Sequence, residues 1–325
     1  SGADRPHSLI AMQLPTDSLR SDEATFCERP EELPFLDVQR LLRARGVPVP
    51  EVLQSDLERG ILLLEDLGDE TFARRLNRLD RAQWPAQYEQ AVDLLVRLHR
   101  ACERSEPRSI AYRRRFDGKL IRWELDHFRQ WGLVELYGQL DGLQKAELER
   151  DLERLAEAVL EIPVGFVHRD FQSRNLMWAK RGPGEQLVVI DFQDALQGPV
   201  PYDLVALLCD SYLQLELDLQ ERMIERYLDG RGLRGAGAEA FGRAFWTVAV
   251  HRKLKDAGRF VFIDRVRGDP GFLEHYPQSL AYVGRALGQL GGFSGLFELL
   301  RCLIPGFPGQ VPRPAAGGCS PLTTG

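Results

Sequence analysis

The sequence predicts an α+β chain in two lobes, a small strand-rich N-terminal lobe and a larger helical lobe with a hairpin inserted into it. Three observations predict this. Short apolar runs closed by proline, glycine or turn residues fill the chain up to Asp66. From Ala86 onward apolar residues recur at helical spacing. Between Phe166 and about Leu196 strand-like runs interrupt that helical pattern.

Ser8-Leu9-Ile10-Ala11-Met12-Gln13-Leu14-Pro15 is a short apolar run closed by proline and reads as a strand. Phe35 to Arg45 is apolar at 35, 36, 38, 41 and 42, a helical stripe ended by Gly46 with prolines beyond. Val49 to Leu53 and Ile61 to Asp66 read as strands separated by the turn-prone Ser55-Asp56-Leu57-Glu58-Arg59-Gly60. Helices follow over Tyr88 to Cys102, Leu120 to Tyr137, Leu143 to Leu160, Leu204 to Leu217, Leu219 to Tyr227 and Ala238 to Gly258, with Tyr276 to Leu303 in one or two pieces. The segment from Pro305 to Gly325 is rich in proline, glycine and small residues, so it buries too little to offset its ordering entropy and is expected to be a flexible tail. The expected organisation is therefore a partial small lobe over 1–66, a helical lobe over 67–304 and a tail over 305–325.

Composition narrows the function classes. With 325 residues, 44% of them apolar, the chain can build a substantial core. Its net charge of −6 argues against a nucleic-acid partner, and no apolar run approaches the roughly 20 residues that a membrane-spanning helix needs. The five cysteines are scattered without a CxxC pair, as expected of reduced thiols. Ser1 to Pro6 has neither the basic nor the apolar region of a secretory signal, and a cytoplasmic location is expected.

The chemistry concentrates in Phe166-Val167-His168-Arg169-Asp170-Phe171-Gln172-Ser173-Arg174-Asn175-Leu176-Met177-Trp178. Leu176 to Trp178 and Leu187 to Ile190 flank Lys180-Arg181-Gly182-Pro183-Gly184-Glu185-Gln186, which has the glycines and proline of a turn. Pairing the arms about Pro183 sets Asn175 opposite Asp191. An amide carbonyl and a carboxylate are hard oxygen ligands suited to Mg²⁺, which leaves its other positions to phosphates and water. Asp170 falls on the loop that enters the hairpin, and His168 is placed to brace that loop. Each of His168, Asp170 and Asn175 taken alone reads more readily as a turn or capping residue. Together, with Asp191 and Phe192 after an apolar strand, they make the His-x-Asp-x4-Asn and Asp-Phe pattern of a kinase catalytic loop and metal motif. That pattern makes the expected fold bilobed and protein-kinase-like, with catalytic loop 166–178 and metal motif 191–194. The residues from Asp191 lead directly into a helix at Leu204, too short for an activation segment, so a small-molecule acceptor is expected. Asp203 either caps that helix or holds the catalytic loop.

These residues, with Gln193-Asp194-Ala195, Gly198-Pro199 and Tyr202-Asp203-Leu204, resemble the aminoglycoside phosphotransferase and choline kinase-like superfamily. Within it they look most like the bacterial anomeric kinases of cell-wall amino sugars, as does His251-Arg252-Lys253-Leu254-Lys255. The resemblance implies ATP and Mg²⁺ as cofactors and phosphorylation of the C1 hydroxyl of N-acetylmuramic acid or N-acetylglucosamine. It implies Asp170 as base, Asn175 and Asp191 as metal ligands, and the backbone of Glu65-Asp66-Leu67 as the hinge that binds adenine. Expected acceptor contacts are Asp194, Glu124, Phe128, Trp131, Asp210 and Arg252. The sequence departs from the superfamily in the small lobe, where Met12 stands in the strand expected to carry a phosphate-pairing lysine and no glycine-rich loop precedes it. Either an N-terminal portion lies outside this sequence, or the phosphates are held differently. Two alternatives stay open, another small acceptor such as an aminoglycoside, choline or homoserine, and a catalytically impaired binding relative.

Overall fold

The computed structural model describes residues 8–14, 32–182 and 184–317. Its strands are β1 (Leu9–Gln13), β2 (Val52–Asp56), β3 (Ile61–Glu65), β4 (Val164–Val167), β5 (Leu176–Arg181), β6 (Gly184–Val189) and β7 (Leu196–Pro199). Its helices are α1 (Pro34–Ala44), α2 (Phe72–Arg78), α3 (Trp84–Ala101), α4 (Ile110–Arg113), α5 (Gly118–His127), α6 (Glu135–Tyr137), α7 (Gly142–Leu160), α8 (Tyr202–Leu208), α9 (Leu217–Arg231), α10 (Ala236–Arg267), α11 (Tyr276–Gln289) and α12 (Ser294–Leu303). The chain divides into two compact units, one of residues 1–115, 164–198 and 217–232, the other of 116–163, 199–216 and 233–325.

In the first unit β3 is the central strand of a three-stranded sheet ordered β1-β3-β2. It runs antiparallel to both neighbours, with Leu9 opposite Glu65 and Asp56 opposite Ile61, and β2 bulges between Val52 and Gln54. Alternation puts Leu62 and Leu64 on the inner face, where they pack with Leu33, Met12 and Phe35. Helix α1 buries Val38, Leu41 and Leu42, and Gly46 ends it at φ +71°, a conformation that suits glycine because it has no Cβ. The β5–β6 hairpin is tied to the chain beyond the sheet. Trp178 N–H donates to Glu70 O at 2.8 Å, Val189 N–H donates to Pro48 O at 2.8 Å, and Arg181 reaches Glu65 Oε1 at 3.0 Å. Helices α3 and α9 pack so closely that a Cβ on Gly230 would meet Val96 Cγ2 at 2.8 Å.

The hairpin corrects the expected register. Leu176 pairs with Val189 and Arg181 with Gly184, so the strands run further into the turn and Asn175 is one residue out of step with Asp191. The physical reason is a tight connection, in which Gly182 at φ +64° turns the chain directly after Arg181. Helix α2 was not expected; its seven residues are too few for a periodic signal, and Thr71 Oγ1 caps it by accepting from Arg74 N–H at 3.1 Å.

The second unit is built on α10, whose 32 residues span about 48 Å. It is buried against α5, α7, α8 and α11, which is why it lacks a single polar face. The helix expected over Leu120 to Tyr137 starts at Gly118 and widens into a π-helical stretch over Phe128–Val134. There α10 approaches so closely that a Cβ on Gly258 would lie 2.7 Å from Phe128 Cα. The helix expected over Leu204 to Leu217 stops at Leu208. A distant side chain ends it, because buried Lys253 Nζ takes Cys209 O at 2.7 Å and Ser211 Oγ at 2.8 Å. The expectation of a flexible tail from 305 is corrected over 305–317, which packs on this unit, while 318–325 lies outside the described residues. Phe307 is buried against Phe297, and Gly317 N–H donates to Asp264 Oδ2 at 2.9 Å. Scattered apolar residues and one buried carboxylate thus order a segment whose average composition is that of a linker.

Candidate active site

The site in the first unit begins where β4 ends. His168 is fully buried beside Phe171, and its ring joins two backbone groups. Asp170 N–H donates to Nδ1 at 3.2 Å, and Nε2 lies 3.0 Å from Ile190 O. An N–H must donate and a carbonyl must accept, so the imidazole is the Nε2–H tautomer, locking the loop before Asp170 to the strand before Asp191. Arg169 and Asp191 take positive φ values of 76° and 63°. For residues with a Cβ such backbone costs on the order of 1 kcal/mol each, and it marks the two bends that shape this site.

Asn175 closes the arrangement. Its Nδ2 donates to Asp170 O at 2.9 Å and to Asp191 Oδ2 at 3.2 Å. The register shift leaves Ile190 N–H, not Asp191, bonded to Asn175 O at 3.1 Å, and the positive-φ bend at Asp191 returns its carboxylate to the Asn175 side chain. Gln193 Nε2 donates to Asp191 Oδ1 at 2.7 Å and fixes the carboxylate plane. With its nitrogen committed to two acceptors, the Asn175 side chain presents its carbonyl oxygen as the atom available to a cation. That oxygen and the Asp191 carboxylate are a hard donor pair that fits a divalent cation. Phe192, the partner of Asp191 in the motif, is fully buried with its ring 5.0 Å from that of Phe35 on α1.

A cavity of about 550 Å³ adjoins this pair. Glu65, Asp66, Leu67 and Gly68 line one part of it, Ile10, Met12 and Leu64 form apolar wall, and Asn175, Asp191 and Asp194 line another part. The Glu65 side chain is spent on structure, accepting from Arg181 Nε and, at 3.0 Å, from Glu51 N–H. Asp66 accepts from Gly68 N–H at 2.8 Å, and hydrogen bonds from the Ser8 hydroxyl and this N–H hold its carboxyl below the usual carboxylate range. Arg114 also lines the cavity and was not singled out in the sequence, where it sits in the basic run Arg113-Arg114-Arg115 and reads as solvated charge.

The other expected acceptor residues lie in the second unit. Glu124 and His251 are both 0% exposed, with Oε2 and Nε2 3.3 Å apart. Burial first, then the positive charges of Lys255 and Arg252, push the His251 imidazole down to about 3, so it faces Glu124 as a neutral ring. Phe128 is fully buried at the start of the π-helical stretch, whereas Trp131 is half-buried with its ring 5.3 Å from that of Phe262. Asp210 is buried and accepts from Tyr212 N–H at 2.9 Å, and buried Arg252 sets its guanidinium 4.9 Å from the Tyr202 ring. Asp203 is also buried, and because Pro201 occupies the cap position of α8, Asp203 lies inside the first turn and is not its cap.

Residues 20–245 match the model of the phosphotransferase enzyme family. The N-acetylmuramate/N-acetylglucosamine kinase of Pseudomonas aeruginosa is 34% identical over 312 residues, covering 94% of this chain and 84% of that protein. The protein of the same name from Neisseria meningitidis is 30% identical, covering 91% of this chain and 84% of its own. Among solved structures, a microcompartment-associated aminopropanol kinase superposes with a TM-score of 0.57 at 19% identity over 86% of each chain. A choline/ethanolamine kinase family protein from Mesorhizobium loti gives 0.53 at 15% identity, over 83% of this chain and 82% of its own. These likenesses give the kinase-like fold expected from the catalytic-loop pattern. The chain belongs to the phosphotransferase enzyme family.

Proposed function

We propose that this enzyme transfers the terminal phosphoryl group of ATP to the anomeric hydroxyl of N-acetylmuramic acid or N-acetylglucosamine, serving the recycling of cell-wall amino sugars in the cytoplasm. The observation that carries phosphoryl transfer is the Asn175 side chain, which joins the backbone of Asp170 to the carboxylate of Asp191. The acceptor class comes from the named relatives, which align over most of the chain.

In this reading Asp170 accepts the proton of the attacking hydroxyl as its oxygen bonds to the γ-phosphorus and the bond from that phosphorus to the β–γ bridging oxygen breaks. Asn175 and Asp191 would hold Mg²⁺, which when bound neutralises phosphate charge. His168 and Asn175 keep the base and the carboxylate at fixed separation, so little reorganisation is left to the reaction. The backbone of Glu65 to Leu67 would receive adenine against the apolar wall of Met12 and Leu64. Asp194, on the metal-motif segment, is the expected acceptor contact in the first unit; Glu124, Phe128, Trp131, Asp210 and Arg252 are those proposed from the second. Within the second unit Glu124, Phe128, Asp210 and Arg252 are buried and Trp131 is half-buried.

The acidic lining of the cavity keeps one competing reading in play, a cationic acceptor such as choline or an aminoglycoside. Coupled ADP release from the purified chain tests both. Turnover with the two amino sugars and none with choline, homoserine or an aminoglycoside is expected; the reverse pattern would overturn the acceptor assignment.

A further inference from the structure

The cavity beside Asn175 and Asp191 poses a charge problem. Asp66, Asp191 and Asp194 edge it, and position 12 of β1, in its wall, is methionine. A nucleotide tail is anionic, and catalysis on it relies on positive charge aimed at the phosphates. Among the described residues lining this cavity Arg114 is the sole cation.

Its placement is well determined. Asp37 on α1 holds the start of α4, accepting from Ser109 Oγ at 2.7 Å and from Ile110 N–H at 2.8 Å. At the other end Arg114 N–H donates to Ile110 O at 2.9 Å, and Arg114 O accepts from Gln197 N–H at 3.0 Å. The side chain is only 7% exposed. Its Nη1 donates to Gln193 O at 2.9 Å and lies 3.9 Å from Asp194 Oδ1. The same Gln193 holds Asp191 through its amide. A guanidinium is a planar fork of five donors, so anchoring one nitrogen at Gln193 fixes the plane at the metal-motif end of the cavity.

We propose that Arg114 is a phosphate-contacting residue of this enzyme, supplying from the segment after α4 the positive charge that its β1 strand does not. The inference rests on the reading of this cavity as the nucleotide site. It differs from a mere brace of residues 191–194 in one respect: a brace supports adenosine and ATP alike, whereas a phosphate contact distinguishes them.

Calorimetric titration of the full chain with ATP, ADP and adenosine at fixed Mg²⁺ and ionic strength makes the comparison. Arg114→Gln is expected to weaken ATP roughly 10- to 100-fold while adenosine changes by less than about twofold, the loss of one or two charge-assisted hydrogen bonds. Arg114→Lys keeps the charge and loses the fork, so its ATP affinity should fall between the two with adenosine again unchanged. This variant also serves should Arg114→Gln fail to fold. Unchanged ATP affinity, or equal losses for ATP and adenosine in the Lys variant, would overturn the inference and leave the kinase reading standing. Failure of the unsubstituted chain to bind either ligand would overturn both.

Discussion

His168→Ala tests whether the catalytic loop is built as described. The imidazole makes two bonds in a fully buried position, receiving Asp170 N–H and donating to Ile190 O. Removing it leaves both backbone groups without that partner, at about 1–3 kcal/mol each, and opens a cavity beside the buried Phe171 ring. Water can reach half-buried Asp170 more readily than the interior carbonyl, so about 3 kcal/mol in total is expected. Urea unfolding should show a lowered midpoint with an unchanged slope, since the surface exposed on unfolding is nearly the same. Displacing the segment that carries Asp170 by about 1 Å should cost turnover on the order of 100-fold, measured as ADP release at saturating ATP. His168→Gln, which retains a polar atom, should recover part of both losses. A His168→Ala protein within about 0.5 kcal/mol of the parent, and with full turnover, would refute the bracing argument.

Two further expectations concern the second unit. His251 is held neutral with its imidazole at about 3, against 6.5 for the exposed ring. The unfolded chain therefore binds the extra proton between those values, and this contribution, fully present above about pH 6.5, is lost as pH falls toward 3, at up to about 1.4 kcal/mol per pH unit. The drop in melting temperature from pH 7.5 to pH 5 should be smaller in His251→Gln, and an equal drop would contradict the assignment. Lys253→Met takes the ammonium away from Cys209 O and Ser211 Oγ, the latter keeping Ser279 Oγ at 2.8 Å, and removes the closer of two lysines from Asp256, while Lys255 stays 3.8 Å away. A loss of about 3 kcal/mol is expected by urea unfolding, partly recovered in Lys253→Met with Asp256→Leu. Full stability of the single variant would show that the lysine does not hold the end of α8.

The arrangement around Asp170 was legible in the sequence because its contacts are local. His168, Asp170, Asn175 and Asp191 fall within one loop and one hairpin, so their spacing already limits how far apart they can be. The register was harder to read, because it is set by whether the turn takes two residues or more, and the stretch of glycines and proline from Gly182 to Gly184 permits either. Where distant residues decide, the sequence offered less. Nothing local announces that α8 stops at Leu208, since the group that stops it is Lys253 on α10. Nothing in the run Arg113-Arg114-Arg115 tells which arginine is held after α4 by the Gln193 carbonyl. The expected acceptor residues show the same limit. Glu124 and Phe128 stand four residues apart, and their burial is decided by α10, where Gly258 admits the close approach.

The central claim is that Asp170 is the base of a phosphoryl-transfer site organised by Asn175 and Asp191. Asp170→Asn removes the proton acceptor with almost no change in volume, and ATP titration alongside ADP release in the presence of N-acetylmuramic acid separates binding from chemistry. The account predicts a turnover loss of about 10²- to 10⁴-fold with ATP affinity retained. Turnover equal to that of the unsubstituted enzyme would contradict it.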